Sequence, residues 1–187
     1  RDVLGSRGLG DVYKRQENVL DNFVAENKSL YSAVEQAKAS VLYPPNGMNM
    51  LILGETGVGK SMFVSLIHKY GIEMKKFLEN SPLITFNCAD YANNPQLLLG
   101  QLFGCKKGAY TGADSDKIGL IEKANNGILF LDEVHRLPSE GQEMLFTFMD
   151  KGIYRRLGET EFERKAKVLI VCATTESPET VSYTHLR

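Results

Sequence analysis

Long hydrophobic runs are missing from this 187-residue chain, and none approaches the roughly 18 residues that a membrane-spanning helix needs. A surplus of either charge is missing too, because 22 basic residues stand against 23 acidic ones and the formal net charge is −1. Segments that bind nucleic acid usually carry a basic face. We therefore expect no membrane association and no DNA-binding surface here, and any DNA-binding module should lie in another domain.

Cysteine is scarce. Cys88, Cys105 and Cys172 are widely and irregularly spaced, which fits neither a zinc pair nor a disulfide framework. The three histidines lack metal-ligand spacing as well, so we assign them no chemistry. This pattern favours a reducing, cytoplasmic compartment.

The two ends of the chain differ from its middle. Residues 1–16 are rich in Gly and Arg without clean periodicity, and residues 181–187 follow a Ser-Pro-Glu turn signal. Both ends resemble translated adapter or cloning sequence, so we treat them as non-native segments. Residues 17–180 form the expected domain, and the chain is long enough to bury one sizeable core.

Within this domain, short apolar runs alternate with stretches of helical spacing. The pattern predicts strands at 48–53, 83–87, 128–131 and 168–173. It predicts helices at 27–42, 60–70, 95–103, 117–124 and 139–151. Strands that are apolar on both faces and alternate with helices are typical of a mostly parallel sheet covered on both sides. The expected fold class is therefore α/β, with three α/β/α layers.

A glycine-rich stretch, GETGVGKS, follows the first predicted strand and precedes a helix, which is the context that the Walker A pattern requires. Its glycines let backbone N–H groups surround phosphate oxygens at a helix N-terminus. Lys60 would contact the β- and γ-phosphates, and the Ser61 hydroxyl would bind Mg²⁺. The predicted ATP-binding residues are Gly54, Glu55, Thr56, Gly57, Val58, Gly59, Lys60, Ser61 and Met62. A chance match of a glycine-rich turn is the alternative.

Two adjacent carboxylates, Asp132 and Glu133, end the most apolar predicted strand. This is the Walker B arrangement, in which Asp132 would hold Mg²⁺ and Glu133 would orient and deprotonate the attacking water. The alternative is that the acidic pair only caps the next helix. Because this acidic pair lies downstream of a Walker A stretch, we expect the protein to hydrolyse ATP.

Between these two motifs lies GCKKGAYTGA, for which nucleotide chemistry gives no reason. Its GAYTGA string resembles the GAFTGA loop of bacterial enhancer-binding proteins, the AAA+ activators that remodel RNA polymerase carrying sigma-54. The strings QLFG and GLIEKANNGILFLDEV are similar to the same family, and the resemblance runs from about Asn27 to Pro178. It implies an AAA+ P-loop NTPase core, a hexameric homo-oligomer and sigma-54 as partner.

The resemblance also implies that this loop is raised or lowered with nucleotide state and that its tip touches sigma-54. Glycines at 108 and 112 suit such movement, because they permit backbone conformations closed to other residues. We expect an exposed Tyr110, where the family usually has phenylalanine, and an exposed Thr111 as the contacting pair. The predicted contact loop is Gly108, Ala109, Tyr110, Thr111, Gly112 and Ala113. A mobile glycine loop without a partner is the alternative.

More narrowly, the strings ASVLYPPNG, LDEVHRLPSEGQEMLF and VCATTES are similar to activators of the levan-operon regulator type, whose ATPase is joined to sugar-transport regulatory domains. Two other functions remain open. One is an AAA+ machine that remodels another partner, against which the central loop counts. The other is a non-catalytic nucleotide-binding switch, against which Lys60 and Glu133 count.

Further positions are assigned by the same resemblance. Asn87 matches an asparagine that holds the Walker B glutamate away from water, although it could instead only end its strand. Thr174 or Thr175 matches the sensor position, with Thr175 our choice, where the family usually has Thr-Asn. Arg155 and Arg156 match an arginine position near the subunit interface, or else form a solvated basic turn.

The resemblance yields a first prediction, because the family's arginine fingers and helical lid follow the sensor strand, beyond Arg187. An arginine finger contributes a factor of about 10³ to 10⁵ in related NTPases. We therefore expect the purified 187-residue chain to bind ATP weakly and to have little ATPase activity alone. A phosphate-release assay that found a normal turnover rate in this chain would refute the prediction.

Overall fold

The computed structural model describes residues 18–176. The segments predicted to be non-native, 1–16 and 181–187, lie outside these residues. The helices are α1 (Val19–Glu26), α2 (Tyr31–Leu42), α3 (Lys60–Glu73), α4 (Pro95–Phe103), α5 (Leu120–Lys123) and α6 (Ser139–Lys151). The strands are β1 (Met50–Leu53), β2 (Leu83–Asn87), β3 (Gly104–Cys105), β4 (Lys117–Ile118), β5 (Gly127–Asp132), β6 (Ile153–Tyr154), β7 (Arg164–Lys165) and β8 (Val168–Thr174).

A four-stranded sheet with the order β1-β8-β5-β2 forms the centre of the structure, and each neighbouring pair is parallel. Strand β5 pairs with β2 on one side and with β8 on the other, and its sequence GILFLD is apolar up to its last residue. A continuous apolar run is what a strand buried on both faces requires. The predicted mostly parallel sheet is confirmed.

Alternate residues of the central strands enter two separate cores. Ile128 and Phe130 of β5 pack with side chains of α1, α2 and α3. Leu129 and Leu131 pack on the opposite face with side chains of α4, α5 and α6. Successive side chains of a strand point to opposite faces, so one strand supplies both cores. The predicted three-layer α/β/α arrangement is therefore confirmed.

The first part of the described chain differs from the prediction. The helix predicted at 27–42 begins at Tyr31, after a 3₁₀ turn at Lys28–Leu30. A separate helix, α1, precedes it, and the sequence pattern did not indicate it. The Asn18 side chain caps α1 by accepting hydrogen bonds from the backbone N–H groups of Leu20 and Asp21.

The helix predicted at 117–124 was wrong in its first half, since only residues 120–123 are helical. Residues Lys117 and Ile118 instead form β4, which pairs antiparallel with β3. Gly119 makes this possible, because a Cβ there would lie 2.4 Å from the backbone nitrogen of Gly104. A second short hairpin, β6 with β7, was also not predicted.

Among residues 18–176, no helix is long and apolar enough to cross a membrane.

The other predicted elements are present, and their ends differ from the predicted bounds by a few residues at most. Helices α4 and α6 and strand β2 have the predicted bounds.

The two-sided burial of β5 leads to a stability prediction. Leu129 is fully buried, whereas Leu78 is 71% exposed. We expect Leu129→Ala to lower the free energy of unfolding by about 2–5 kcal/mol, because it leaves a cavity beneath α4 and α6. The matched control Leu78→Ala should change it by less than about 0.5 kcal/mol. Urea denaturation measures both, and equal values would contradict the buried position of β5.

Candidate functional site

The carboxyl ends of the four central strands lie at one edge of the sheet. Leu53 at the end of β1 pairs in register with Thr174 at the end of β8, and Asn87 at the end of β2 pairs with Asp132 at the end of β5. Ligands of open parallel sheets bind at this edge. The fold therefore brings the predicted glycine-rich stretch, the acidic pair and the sensor threonines to one side of the molecule.

The glycine-rich stretch forms the loop between β1 and α3. Gly57 and Gly59 have φ values of 83° and 90°, and a Cβ at Gly57 would meet nothing within 4 Å. Backbone conformation, not space, therefore requires glycine at this position. Gly59 is the N-cap of α3, so the loop leads directly into the N-terminus of a 14-residue helix. Unpaired N–H groups and the helix dipole make this end suitable for an anion.

Lys60 is the first residue of α3, and it is only 7% exposed. Its Nζ donates hydrogen bonds to the carbonyl oxygens of Gly54 (2.9 Å) and Glu55 (3.0 Å). These two contacts fold the ammonium group back over the loop. The next residue, Ser61, is exposed at the same helix end.

The acidic pair lies at the end of β5, where the backbone turns sharply. Asp132 accepts the N–H of Glu133 at its own Oδ1 (3.0 Å). Glu133 has φ 51° and ψ 44°, a left-handed conformation that is costly for a residue other than glycine. This turn directs the two carboxylates differently, and the Glu133 side chain is only 16% exposed.

The Glu133 carboxylate lies beside the end of β8. Thr175 donates from Oγ1 to Glu133 Oε2 at 3.3 Å. Thr174 is buried, and its Oγ1 accepts the backbone N–H of Glu176 at 3.1 Å. The sequence left the two threonines as alternatives for the sensor position, and the structure places Thr175 against the carboxylate.

His135, to which the sequence analysis assigned no chemistry, lies in the same cluster. Its Nδ1 is 2.8 Å from Thr174 Oγ1, and its Nε2 is 3.4 Å from Glu133 Oε2. The only sequence signal was its place two residues after the acidic pair. That signal is weak without the pairing of β5 with β8, which brings Thr174 to the ring.

Asn87 ends β2 next to Asp132, and its carboxamide oxygen accepts the N–H of Ala89 at 2.9 Å. This hydrogen bond caps the 3₁₀ turn Cys88–Tyr91. The structure thus gives Asn87 the strand-ending role that was the alternative to a switch. In residues 18–176, the hydrogen bond that the Glu133 carboxylate accepts comes from Thr175. The switch role stays a prediction.

The GAYTGA loop is closed at its base by the β3–β4 hairpin. The Gly108 N–H donates to Ala113 O at 2.8 Å, and the Ala113 N–H donates to Tyr110 O at 3.0 Å. Gly108 and Gly112 have φ values of 79° and 98°, so both positions require glycine. The loop thus has a defined turn structure, and Thr111 is exposed at its tip.

Tyr110 is not fully exposed as predicted, because its ring lies against α4. A Cβ at Gly100 would come 3.0 Å from the Tyr110 Oη, so the missing side chain of Gly100 leaves room for the ring. Burial and the neighbouring Cys105 raise the pKa of Tyr110. Tyr110, one of the two residues predicted to contact sigma-54, is therefore packed on α4 in this structure.

The two predicted interface arginines have partners within the chain. Arg155 is half-exposed and pairs with Glu163 at 3.0 Å. Arg156 is largely buried and pairs with Glu122 at 2.8 Å, which lowers the pKa of that carboxyl. The Tyr154 hydroxyl donates to the same carboxylate, and burial together with Glu122 raises the pKa of Tyr154 to about 12. A role between subunits stays a prediction.

Comparison with known proteins gives the same fold and family. A family model described as the sigma-54 interaction domain matches residues 23–187. The transcriptional regulatory protein LevR of Bacillus subtilis (strain 168) is 59% identical over 161 residues, which are 86% of this chain and 17% of LevR. The transcriptional regulatory protein DagR of Salmonella typhimurium (strain 14028s / SGSC 2262) is 45% identical over 175 residues, 91% of this chain and 19% of DagR.

Among solved structures, NtrX from Brucella abortus in complex with ADP has a TM-score of 0.60 and 25% sequence identity, and the match covers 85% of this chain and 34% of that one. This chain corresponds to less than a fifth of the length of LevR or of DagR. The α/β architecture is that of an AAA+ core. The family match and the identity to LevR and DagR together show that the chain belongs to the sigma-54 interaction domains, as part of a LevR-like sigma-54 activator.

Proposed function

We propose that this chain is the ATP-hydrolysing motor segment of a sigma-54-dependent transcriptional activator, which remodels sigma-54 RNA polymerase so that promoter DNA opens. One observation carries the proposal. The glycine-rich loop and the Asp132-Glu133 pair lie at one edge of the sheet, and the chain that leaves this edge at the end of β2 forms the GAYTGA loop and then returns to the start of the neighbouring strand β5.

ATP binding requires a place for the triphosphate, and the N-terminus of α3 offers one. The backbone N–H groups of the loop would surround the β-phosphate. Lys60 now donates to two loop carbonyls, and a phosphate would compete with them for its ammonium group. Nucleotide-bound relatives support this site, since NtrX has been solved in complex with ADP.

The residues at this edge also fit Mg²⁺. Ser61 and Asp132 offer two hard oxygen donors, and residues 18–176 contain no group of three His, Cys, Asp or Glu side chains that could enclose a metal. Mg²⁺ in nucleotide sites usually takes one or two protein oxygens and completes its shell with phosphate and water. Bound between Ser61 and Asp132, it would neutralise charge that develops on the phosphates.

Hydrolysis needs a group that orients water and accepts its proton, and Glu133 is the candidate. Its left-handed backbone directs the carboxylate away from Asp132 and toward the end of β8. The Thr175 hydroxyl donates a hydrogen bond to one oxygen of the Glu133 carboxylate. Through this contact, Thr175 would link the position of the carboxylate to the presence of the γ-phosphate. Asn87 uses its carboxamide oxygen to accept the N–H of Ala89, so its Nδ2 group would be the donor to the Glu133 carboxylate.

Coupling to the GAYTGA loop follows from the chain path. Asn87 ends β2, and the chain continues through α4 into the loop. On the return it passes through α5 into β5, which ends at Asp132. Helices α4 and α5 belong to one closely packed core together with β5. Packed elements transmit small shifts as rigid units, so a change at the γ-phosphate would move both arms of the loop.

The assembly and location of the whole protein also belong to this proposal. We expect a homo-hexamer in the cytoplasm, with sigma-54 as partner and with DNA binding in another domain. Arg155 is the better candidate for a contact between subunits, because half of its side chain is exposed while Arg156 is mostly enclosed by its own chain.

The proposal predicts that Glu133→Gln separates ATP binding from turnover. In the full-length protein, the variant should bind ATP within about threefold of wild type, because glutamine has the same size. It should hydrolyse ATP about 10²-fold or more slowly, because the general base is lost, and it should form no open complexes at a sigma-54 promoter. Glu79→Gln, an exposed position between α3 and β2, is the matched control. Wild-type turnover or open complexes in Glu133→Gln would contradict the proposal.

Another prediction concerns the packing of the GAYTGA loop on α4. The chain contains no tryptophan, so Tyr110→Trp introduces a single fluorescent reporter. Adding Gly100→Ala should push the ring outward, because a Cβ at Gly100 would lie only 3.0 Å from the ring hydroxyl. We expect emission at longer wavelength and stronger acrylamide quenching. Gln96→Ala, on the exposed side of α4, should change neither, and identical spectra in all three proteins would contradict the packing.

A further inference from the structure

His135 lies on the 3₁₀ turn Val134–Arg136 that follows β5, and its side chain is only 5% exposed. One ring nitrogen faces strand β8, since Nδ1 is 2.8 Å from Thr174 Oγ1. The other nitrogen, Nε2, faces two carboxylates, with Glu133 Oε2 at 3.4 Å and Glu176 Oε1 at 3.6 Å. The ring thus stands between the sensor end of β8 and the proposed general base.

The surroundings decide which ring nitrogen carries hydrogen. Ionised carboxylates only accept hydrogen bonds, so the Nε2 that faces Glu133 and Glu176 must carry a proton. In a neutral ring Nδ1 is then an acceptor, and it takes the hydroxyl hydrogen of Thr174. The Thr174 oxygen remains able to accept the N–H of Glu176, as it does at 3.1 Å. Every polar atom in this chain of contacts has a compatible role.

We propose that His135 is a positioning residue for Glu133, which ties the carboxylate to the buried hydroxyl of Thr174 at the end of β8. The proposal rests on the ATP hydrolysis proposed above. Thr175 holds the same carboxylate oxygen, but Thr175 is exposed, whereas His135 and Thr174 are buried. The His135 side chain is only 5% exposed, and its contact with Thr174 places the ring beside Glu133, with Nε2 3.4 Å from Oε2.

The consequence falls on turnover, and ATP binding is spared, because the contacts of His135 are with Glu133, Thr174 and Glu176. Misplacing a reacting group by about 1 Å can cost roughly 10²-fold in rate. We therefore expect loss of the ring to lower kcat about tenfold to a hundredfold and to leave the ATP KM and Kd near wild type.

Two isosteric variants separate the roles of the two ring nitrogens. His135→Gln places an amide N–H near the position of Nε2 and keeps a donor toward Glu133. His135→Asn places an amide oxygen near the position of Nδ1 and keeps only the contact with Thr174. We expect His135→Gln to retain most of the wild-type kcat, while His135→Asn and His135→Ala lose it. Thr174→Val, which removes the hydroxyl with little change of volume, should lower kcat less than His135→Ala.

The test measures steady-state ATP hydrolysis and ATP binding in the full-length protein, with thermal melts to compare folding. His68→Gln is the control, because His68 also makes a polar contact through Nε2 (with Ser81 O, 2.9 Å) but lies on α3. Equal kcat in His135→Gln and His135→Asn, at equal melting temperature, would overturn the inference and leave the proposed function intact. A wild-type protein that binds ATP but does not hydrolyse it would overturn the proposed function, and this inference with it.

Discussion

The parallel pairing of β5 with β2 on one side and with β8 on the other is the constraint on which the rest of the structure depends. Burial on both faces requires the apolar run GILFL, and this run joins the two cores into one unit. Parallel pairing also sets the carboxyl ends of the strands side by side. The acidic pair, the threonines predicted as sensors and the end of β2 therefore lie at one edge of the sheet, although they are far apart in the sequence.

The same pairing gives a path for the proposed response of the GAYTGA loop to nucleotide. The loop is an insertion between α4 and α5, and these helices connect it to the neighbouring strands β2 and β5. Its base is tied further by the β3–β4 hairpin and by hydrogen bonds between Lys106 and Leu157 and between Leu157 and Gly104. A loop held at several points can adopt distinct positions, whereas a free glycine-rich loop would sample many. In this structure, Tyr110 of the loop lies against Gly100 of α4.

Much of the fold could be predicted from the sequence, namely the segments in which strong local signals agree with the global fold. The apolar runs of β2, β5 and β8 could hardly be other than buried strands, and GETGVGKS between a strand and a helix has few alternatives. Helix α4 was equally clear, since Asn94 and Pro95 are a strong start signal and Gly104 ends it. These elements carry most of the candidate site.

The missed features depend on contacts that are distant in sequence. Helix α1 is short, and its one buried side chain, Leu20, packs only when α3 and the sheet are in place. Strand β4 has two exposed residues, so only its pairing with β3 makes it a strand. His135 acquires its contact with Thr174 only through the pairing of β5 with β8.

The central claim of this account is that nucleotide at the sheet edge controls contact between the GAYTGA loop and sigma-54. The most direct measurement is retention of sigma-54 by the protein, extended through its natural C-terminus, in ADP plus a γ-phosphate transition-state mimic. The account predicts retention that is lost without the mimic and lost in Thr111→Ala. Absence of retention in a protein shown to bind nucleotide and to assemble would contradict it.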